Sequence, residues 1–215
     1  MNHLLLLGHR GARGKKFPEN SLAAFDFALR EGCDGFEFDV RLTGEGEAVI
    51  SHDPIQARRR KAAAKQESLP LLREVLEHYS NLAFLDIEIK VKGAEAIAVE
   101  LLREFPPARG FVVSSFLPNV LQSIHSSDSQ IPLGLICETH AQLARWKRLP
   151  VEYVIPHYRL FSQSLVAELK AAQKKILVWT VNAPAGMRRF AKLGVDGIIS
   201  DHPGLLASTL GGRAK

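Results

Sequence analysis

The stretch Gly35-Phe36-Glu37-Phe38-Asp39-Val40 decides the fold. Phe36, Phe38 and Val40 alternate with Glu37 and Asp39 at the period of two of an extended chain. The run therefore reads as a strand with both carboxylates on one face and the apolar side chains on the other. Phe84-Leu85-Asp86-Ile87-Glu88-Ile89-Lys90 repeats the pattern, with Asp86, Glu88 and Lys90 sharing a face. In a parallel sheet covered on both sides, that face is interior, where an unpaired carboxylate is very costly unless a cation meets it. Glu37, Asp39 and Glu88 are accordingly read as a metal site. An antiparallel sheet with one wet face, or ion pairing with Lys90, would place the same residues without a metal.

Outward from these strands, extended and helical patterns alternate along the whole chain. Strands are expected at 4–8, 35–40, 83–90, 111–115, 132–136, 153–156, 176–181 and 197–200. Helices are expected at 21–31, 71–79, 94–105, 118–126, 140–148, 162–173 and 184–192, with a last one from Pro203. Gly32 stops the first helix, Pro70 opens the second, and Pro106-Pro107 ends the third. A short hairpin, Thr43-Gly44-Glu45-Gly46, follows the second strand. Strands that each feed a helix predict right-handed parallel crossovers, and eight such units predict a single (β/α)8 TIM barrel spanning residues 1–215. A doubly wound open sheet is the alternative, but no GxGxxG follows the first strand. Gly32-Cys33-Asp34-Gly35 recurs as Gly194-Val195-Asp196-Gly197, each copy between a helix and a strand. Asp34 and Asp196 then belong to the stability face and bond local backbone.

Composition fits one enzyme domain. The 215 residues are 46% hydrophobic, enough for a core, with no Pro/Gly/Ser-rich linker to divide them. Cys33 and Cys137 lack CxxC spacing and read as small core residues of a reducing compartment. Leu4–Leu7 is too short for a signal peptide, and no apolar run is long enough to span a bilayer, so a cytoplasmic protein without stable membrane insertion is expected. The net charge of +5 is densest at Arg58-Arg59-Arg60-Lys61. No aromatic residues are interleaved there, which argues against nucleic acid and for a solvated basic segment or an electrostatic guide for anions.

In such a barrel the reactive groups gather at the C-terminal strand ends. His9 and Arg10 follow the first strand, and Ser51-His52-Asp53 follows the hairpin. Two histidines beside three carboxylates can serve as acid and base near neutral pH, and the planar guanidinium of Arg10 suits phosphate oxygens.

With those residues in place, the chain resembles the glycerophosphodiester phosphodiesterase family. The resemblance is carried, in order, by His9-Arg10-Gly11, Glu19-Asn20-Ser21, Glu37-x-Asp39, His52-Asp53, Glu88-x-Lys90, Trp179-Thr180-Val181-Asn182 and Gly194 through Asp201 and Pro203. It implies a (β/α)8 barrel that hydrolyses small-molecule glycerophosphodiesters to sn-glycerol 3-phosphate and an alcohol. It also implies one divalent cation, Mg²⁺ or Ca²⁺, on Glu37, Asp39 and Glu88, with His9 and His52 catalytic. The family's attacking group is commonly the substrate's own glycerol hydroxyl. Lys90 is expected to bind phosphate, orient Glu88 or form a structural ion pair; Trp179 to wall the pocket or pack in the core. Glu19 is expected to hold a glycerol hydroxyl or a metal-bound water, or to be a turn residue. Phe116 lines an apolar side or packs internally. The segment between Pro54 and Leu69 is shorter than the substrate-covering insertion of many members and lacks its Arg-Thr element. That opens the pocket to larger diesters, as in lysophospholipase D-type or phosphoinositide-type activity. A non-catalytic barrel that binds phosphorylated ligands is the remaining alternative.

Overall fold

The computed structural model describes residues 3–14, 17–55 and 69–211. The basic run Arg58–Lys61, expected as a solvated or guiding segment, lies outside the described residues. Strand and helix alternate as the sequence predicts: β1 (Leu5–His9), α1 (Leu22–Arg30), β2 (Gly35–Leu42), β3 (Ala48–Ile50), α2 (Leu72–Tyr79), β4 (Phe84–Ile89), α3 (Glu95–Glu104), β5 (Phe111–Ser115) and α4 (Pro118–Ser127). The second half continues with β6 (Leu133–Cys137), α5 (His140–Leu143), β7 (Tyr153–Pro156), α6 (Gln163–Ala171), β8 (Lys175–Val178), α7 (Pro184–Leu193), β9 (Gly197–Ser200) and α8 (Pro203–Leu210).

Pairing runs β1-β9-β8-β7-β6-β5-β4-β2 and closes through β1 with β2, so eight parallel strands form a ring. β3 stands outside the ring as an antiparallel partner of β2. Closure is short, covering Leu7↔Gly35, Gly8↔Phe36 and His9↔Glu37. Beyond Glu37 the same edge of β2 is taken over by β3, from Val40↔Ile50 to Leu42↔Ala48. The mouth end of β2 is thus handed from β1 to the hairpin.

Local chemistry explains the helix ends. Ser21 caps α1, its Oγ accepting from the N–H of Ala24 at 3.2 Å, and Ala24, Phe25 and Ala28 form the buried stripe. Gly194 ends α7 in the left-handed conformation at φ 74°. Asp34 accepts from the N–H of Leu6 at 2.9 Å and Asp196 from that of Ile176 at 2.8 Å, so the repeated Gly-x-Asp-Gly motif ties each strand to a neighbour at the closed end.

Two boundaries differ from expectation. Residues 140–148 make only four residues of α-helix before a 3₁₀ stretch, Ala144–Arg148. Leu143 and Trp146, with Leu149 just beyond, recur every three positions, which suits a three-residue turn. Strand β8 stops at Val178 rather than 181, with Trp179 held by an indole N–H bond to the Ile155 carbonyl at 2.9 Å.

The larger core lies between the ring and the helices, around Phe25, Phe36, Phe38 and Tyr79. Cys33 and Cys137 are free and buried, Cys33 within that core beside α1. A second cluster, including Leu7, Phe84, Val112, Tyr153 and Leu177, plugs the ring below the acidic residues. Gly35 sits where the ring is tightest: a Cβ there would strike the Phe84 main chain. Gly35→Ala is expected to destabilise the fold by about 1–3 kcal/mol. Equilibrium denaturation checks this; an unchanged midpoint would mean that β4 yields to the added methyl.

Candidate active site

The β2–β4 register pairs Glu37 with Asp86 and Asp39 with Glu88, so period-two alternation stacks four carboxylates on the inner wall. All four are buried. Oxygens of Glu37, Asp39 and Glu88 come within 4.8 Å of one another. Glu37 Oε2 accepts from the Arg10 main-chain N–H at 2.9 Å, and Arg10 adopts a left-handed φ of 52° there. Asp39 Oδ2 accepts from the Asn20 side-chain amide at 2.8 Å. Asp39 Oδ1 is buried and takes no hydrogen bond, although Lys90 Nζ stands 3.1 Å away. Lys90 also lies 2.8 Å from Glu88 Oε1 and so bridges two of the acids. Asp86 lies beneath, its Oδ1 accepting from Ser114 at 2.5 Å.

Burial, then repulsion from Asp39 and Glu88, drives the Glu37 carboxyl well above the usual range. Burial, then repulsion from Asp39, pushes Glu88 up to about 8 against the opposing pull of Lys90. Burial works to raise Asp39 as well, but Lys90, Arg10 and the Asn20 hydrogen bond hold it low. Asp86 is pushed by burial to about 7.

His9 closes the end of β1 opposite Glu37. Its Nδ1 lies 2.6 Å from Asp201 Oδ1, and its Nε2 lies 3.7 Å from Glu37 Oε2. Burial lowers the His9 pKa although the Asp201 bond opposes it. Burial would raise Asp201, yet the His9 bond, with Asn182 and Arg13, brings it to about 2. His52 stands at the rim, its side chain 36% exposed against 10% for His9, with Nδ1 3.1 Å from Asp53 Oδ1. The two histidines flank one stretch of the β2 edge, since Ser51 N–H bonds the Asp39 carbonyl at 2.8 Å and the Asn20 side chain bonds the Asp39 N–H at 3.2 Å.

The candidate site residues His9, Arg10, Glu19, Glu37, Asp39, His52, Glu88, Lys90 and Trp179 all stand at this end of the barrel, in different settings. Arg10 and Lys90 are turned onto acids: Arg10 pairs with Glu19 at 2.7 Å and Asp39 at 3.1 Å. Glu19 is no helix cap; it also binds Arg13 at 2.6 Å. Trp179 packs edge-to-face against Phe116, centroids 5.6 Å apart, and against His157, forming an aromatic arc. Asp201 and Asn20 were not read as site residues from the sequence. Asp201 had a signal, since it follows inward-facing Ile199 by two positions on β9's parity. Asn20 lies in the Glu19-Asn20-Ser21 motif of the resemblance, but no local period shows that it reaches Asp39 from a loop.

The chain matches the model of the glycerophosphoryl diester phosphodiesterase family over residues 9–61 and 55–205. The chain belongs to this family. The glycerophosphodiester phosphodiesterase of Caldanaerobacter subterraneus subsp. tengcongensis is 30% identical, with 93% of this chain and 94% of that one aligned. That of Bacillus altitudinis is 29% identical over 92% of this chain and 94% of its own. An Oleispira antarctica phosphodiesterase, solved with its product sn-glycerol-3-phosphate, superposes with a TM-score of 0.82 at 27% identity, covering 96% of each chain. Family members are phosphoric diester hydrolases, and the acid and histidine positions of this barrel lie at its open mouth as a hydrolytic site requires.

The raised carboxylates carry a stability consequence. Glu37, Asp86 and Glu88 bind protons more tightly folded than unfolded, so the stability they contribute is present at low pH and lost as pH rises towards about 8. His9 and the less buried His157, both lowered, act in the opposite sense near their ordinary range, and Asp201 acts only below about 4. Three buried carboxyls outweigh these two imidazoles. With chelator present, the melting temperature at pH 8.5 is expected to fall roughly 5 °C or more below that at pH 5.5. Circular dichroism melts check this, and an equal or higher value at pH 8.5 would refute it.

Proposed function

We propose that this chain hydrolyses glycerophosphodiesters to sn-glycerol 3-phosphate and an alcohol, using one divalent cation and two histidines. What carries the reading is the convergence of Glu37, Asp39 and Glu88 within 4.8 Å beside the buried His9. Support also comes from the family membership and from the product bound by the Oleispira relative.

The donor set fits a divalent cation. It is all oxygen, which suits Mg²⁺ or Ca²⁺. Asp39 Oδ1 is a buried acceptor with no hydrogen bond, and burial with mutual repulsion raises the Glu37 and Glu88 carboxyls, a shift that a bound cation would oppose. When bound, such a cation supplies Lewis-acid stabilisation of charge on phosphoryl oxygens. Arg10 and Lys90 border the same acids and offer the fixed positive charge that would orient those oxygens.

The histidines divide the proton work by environment. Asp201, held as a carboxylate, accepts a hydrogen bond from His9 Nδ1–H and leaves Nε2 as a base facing the acids. Burial keeps that imidazole neutral. His9 Nε2 removes the proton of the attacking glycerol hydroxyl, whose oxygen bonds to phosphorus as the bond from phosphorus to the leaving oxygen breaks, and His52 gives that leaving oxygen a proton. Water, losing a proton to His52, then opens the cyclic phosphate, and His9 returns its proton to the glycerol oxygen, which leaves sn-glycerol 3-phosphate. The exposed rim position of His52 suits contact with a leaving alcohol that departs to solvent.

Glu37→Gln and Asp39→Asn should each abolish turnover of glycerophosphocholine while the fold persists, and full activity in excess EDTA would sink the metal-dependent reading. His9→Ala and His52→Ala should each cost about two to four decades in rate. A p-nitrophenyl diester, whose leaving group needs no proton, should restore His52→Ala but not His9→Ala; the reverse pattern would exchange their roles. Titrating Mg²⁺ or Ca²⁺ into metal-free protein at pH 7 should release protons from the raised carboxylates. Calorimetry in buffers of differing ionisation enthalpy reads that number directly.

A further inference from the structure

We propose that Arg41 is a positioning residue for His52, acting on the reaction through His52 alone; the inference rests on the role assigned to His52 above. Arg41 shares the face of β2 that carries Glu37 and Asp39, two positions nearer the mouth. It pairs with Val49 across the hairpin, and its Nε donates to the main-chain carbonyl of His52 at 2.8 Å.

The contrast with His9 explains why this bond matters. His9 lies in the β1 ladder and has a carboxylate near each ring nitrogen. His52 lies two residues beyond the end of β3, after the last rung from Ser51 N–H to the Asp39 carbonyl. Among the described residues its imidazole is hydrogen-bonded to Asp53 alone, its chain neighbour, whose side chain is itself 45% exposed. Among the described residues, the Arg41 bond is the one tie on the His52 main chain. A cavity of about 400 Å³ opens beside Arg41, Leu42, Thr43, Pro54 and Ile55, on either side of the chain that carries His52. The other cations of the mouth, Arg10, Arg13 and Lys90, are engaged by carboxylates. Among the described residues no acid pairs with Arg41, so its fixed fork serves the carbonyl. Asp39, the ladder and Arg41 thereby set the distance between the acid cluster and His52.

Displacing a catalytic group by about an ångström can cost around a hundredfold in rate. Arg41→Met keeps the stem and removes the donors; it is expected to lower kcat on glycerophosphocholine about tenfold to a hundredfold, with KM changed less than about twofold. Arg41→Lys, whose ammonium can reach the carbonyl, should recover part of the loss. The deciding measurement is the double-mutant cycle: in a His52→Ala background, Arg41→Met should cost nothing further. An equal loss in both backgrounds, or an unchanged kcat in the single variant, would overturn the proposal. Should Arg41→Met fail to fold in a thermal melt, Arg41→Gln enters the same cycle. Wild-type turnover by His52→Ala would instead overturn the role of His52, a failure distinct from an inactive His52→Ala beside a fully active Arg41→Met.

Discussion

Charge balance inside the ring is the constraint on which the rest depends. Glu37, Asp39, Asp86 and Glu88 stand on two adjacent strands with almost no access to water. Among the described residues Arg10 and Lys90 are the cations paired with them, which leaves two of the four negative charges without a paired cation there when all are ionised. A protein can hold such a cluster by keeping protons on it or by binding a divalent ion, and the raised Glu37 and Glu88 are the first state of that choice. Hydrogen bonds from the Arg10 main chain, Asn20 and Ser114 pin the carboxylates in place whichever state prevails.

The same cluster shapes its surroundings. Below it, the ring is filled by apolar side chains such as Leu7, Tyr153 and Leu177, which exclude water from the acids on that side. Above it, charge dominates the arc formed by β9, β1, β2 and β4, where His9, Arg10, Arg13, Glu19, Lys90 and Asp201 interlock. The arc from β5 to β8 carries Phe116, His157 and Trp179 instead. A diester lying across this mouth meets fixed charge on one side and aromatic surface on the other.

Much of this was legible in the sequence because a strand's alternation is a rigid rule. Period two put Glu37, Asp39, Asp86, Glu88 and Lys90 on one wall, and the structure keeps them there. The eight strand–helix units and the hairpin could also be read. What escaped depends on contacts that no local period encodes. Asp201 meets His9 across 192 positions of sequence, and Asn20 reaches Asp39 through a left-handed turn at φ 58°. The 140–148 segment was misread as one α-helix because spacings of three occur in both helix types. The cation contacts of Arg10 and Lys90 depend on which way long, flexible stems fold, and composition is silent on that.

The hairpin lies outside the closed ring of hydrogen bonds, joined to it along one edge of β2. Chain can therefore be lengthened or shortened beyond β3 without opening the ring or moving the acid wall. The acid wall and His9 belong to the ring, whereas His52 rides on the hairpin, so one of the two histidines can shift relative to the acids while the circle of backbone bonds stays closed.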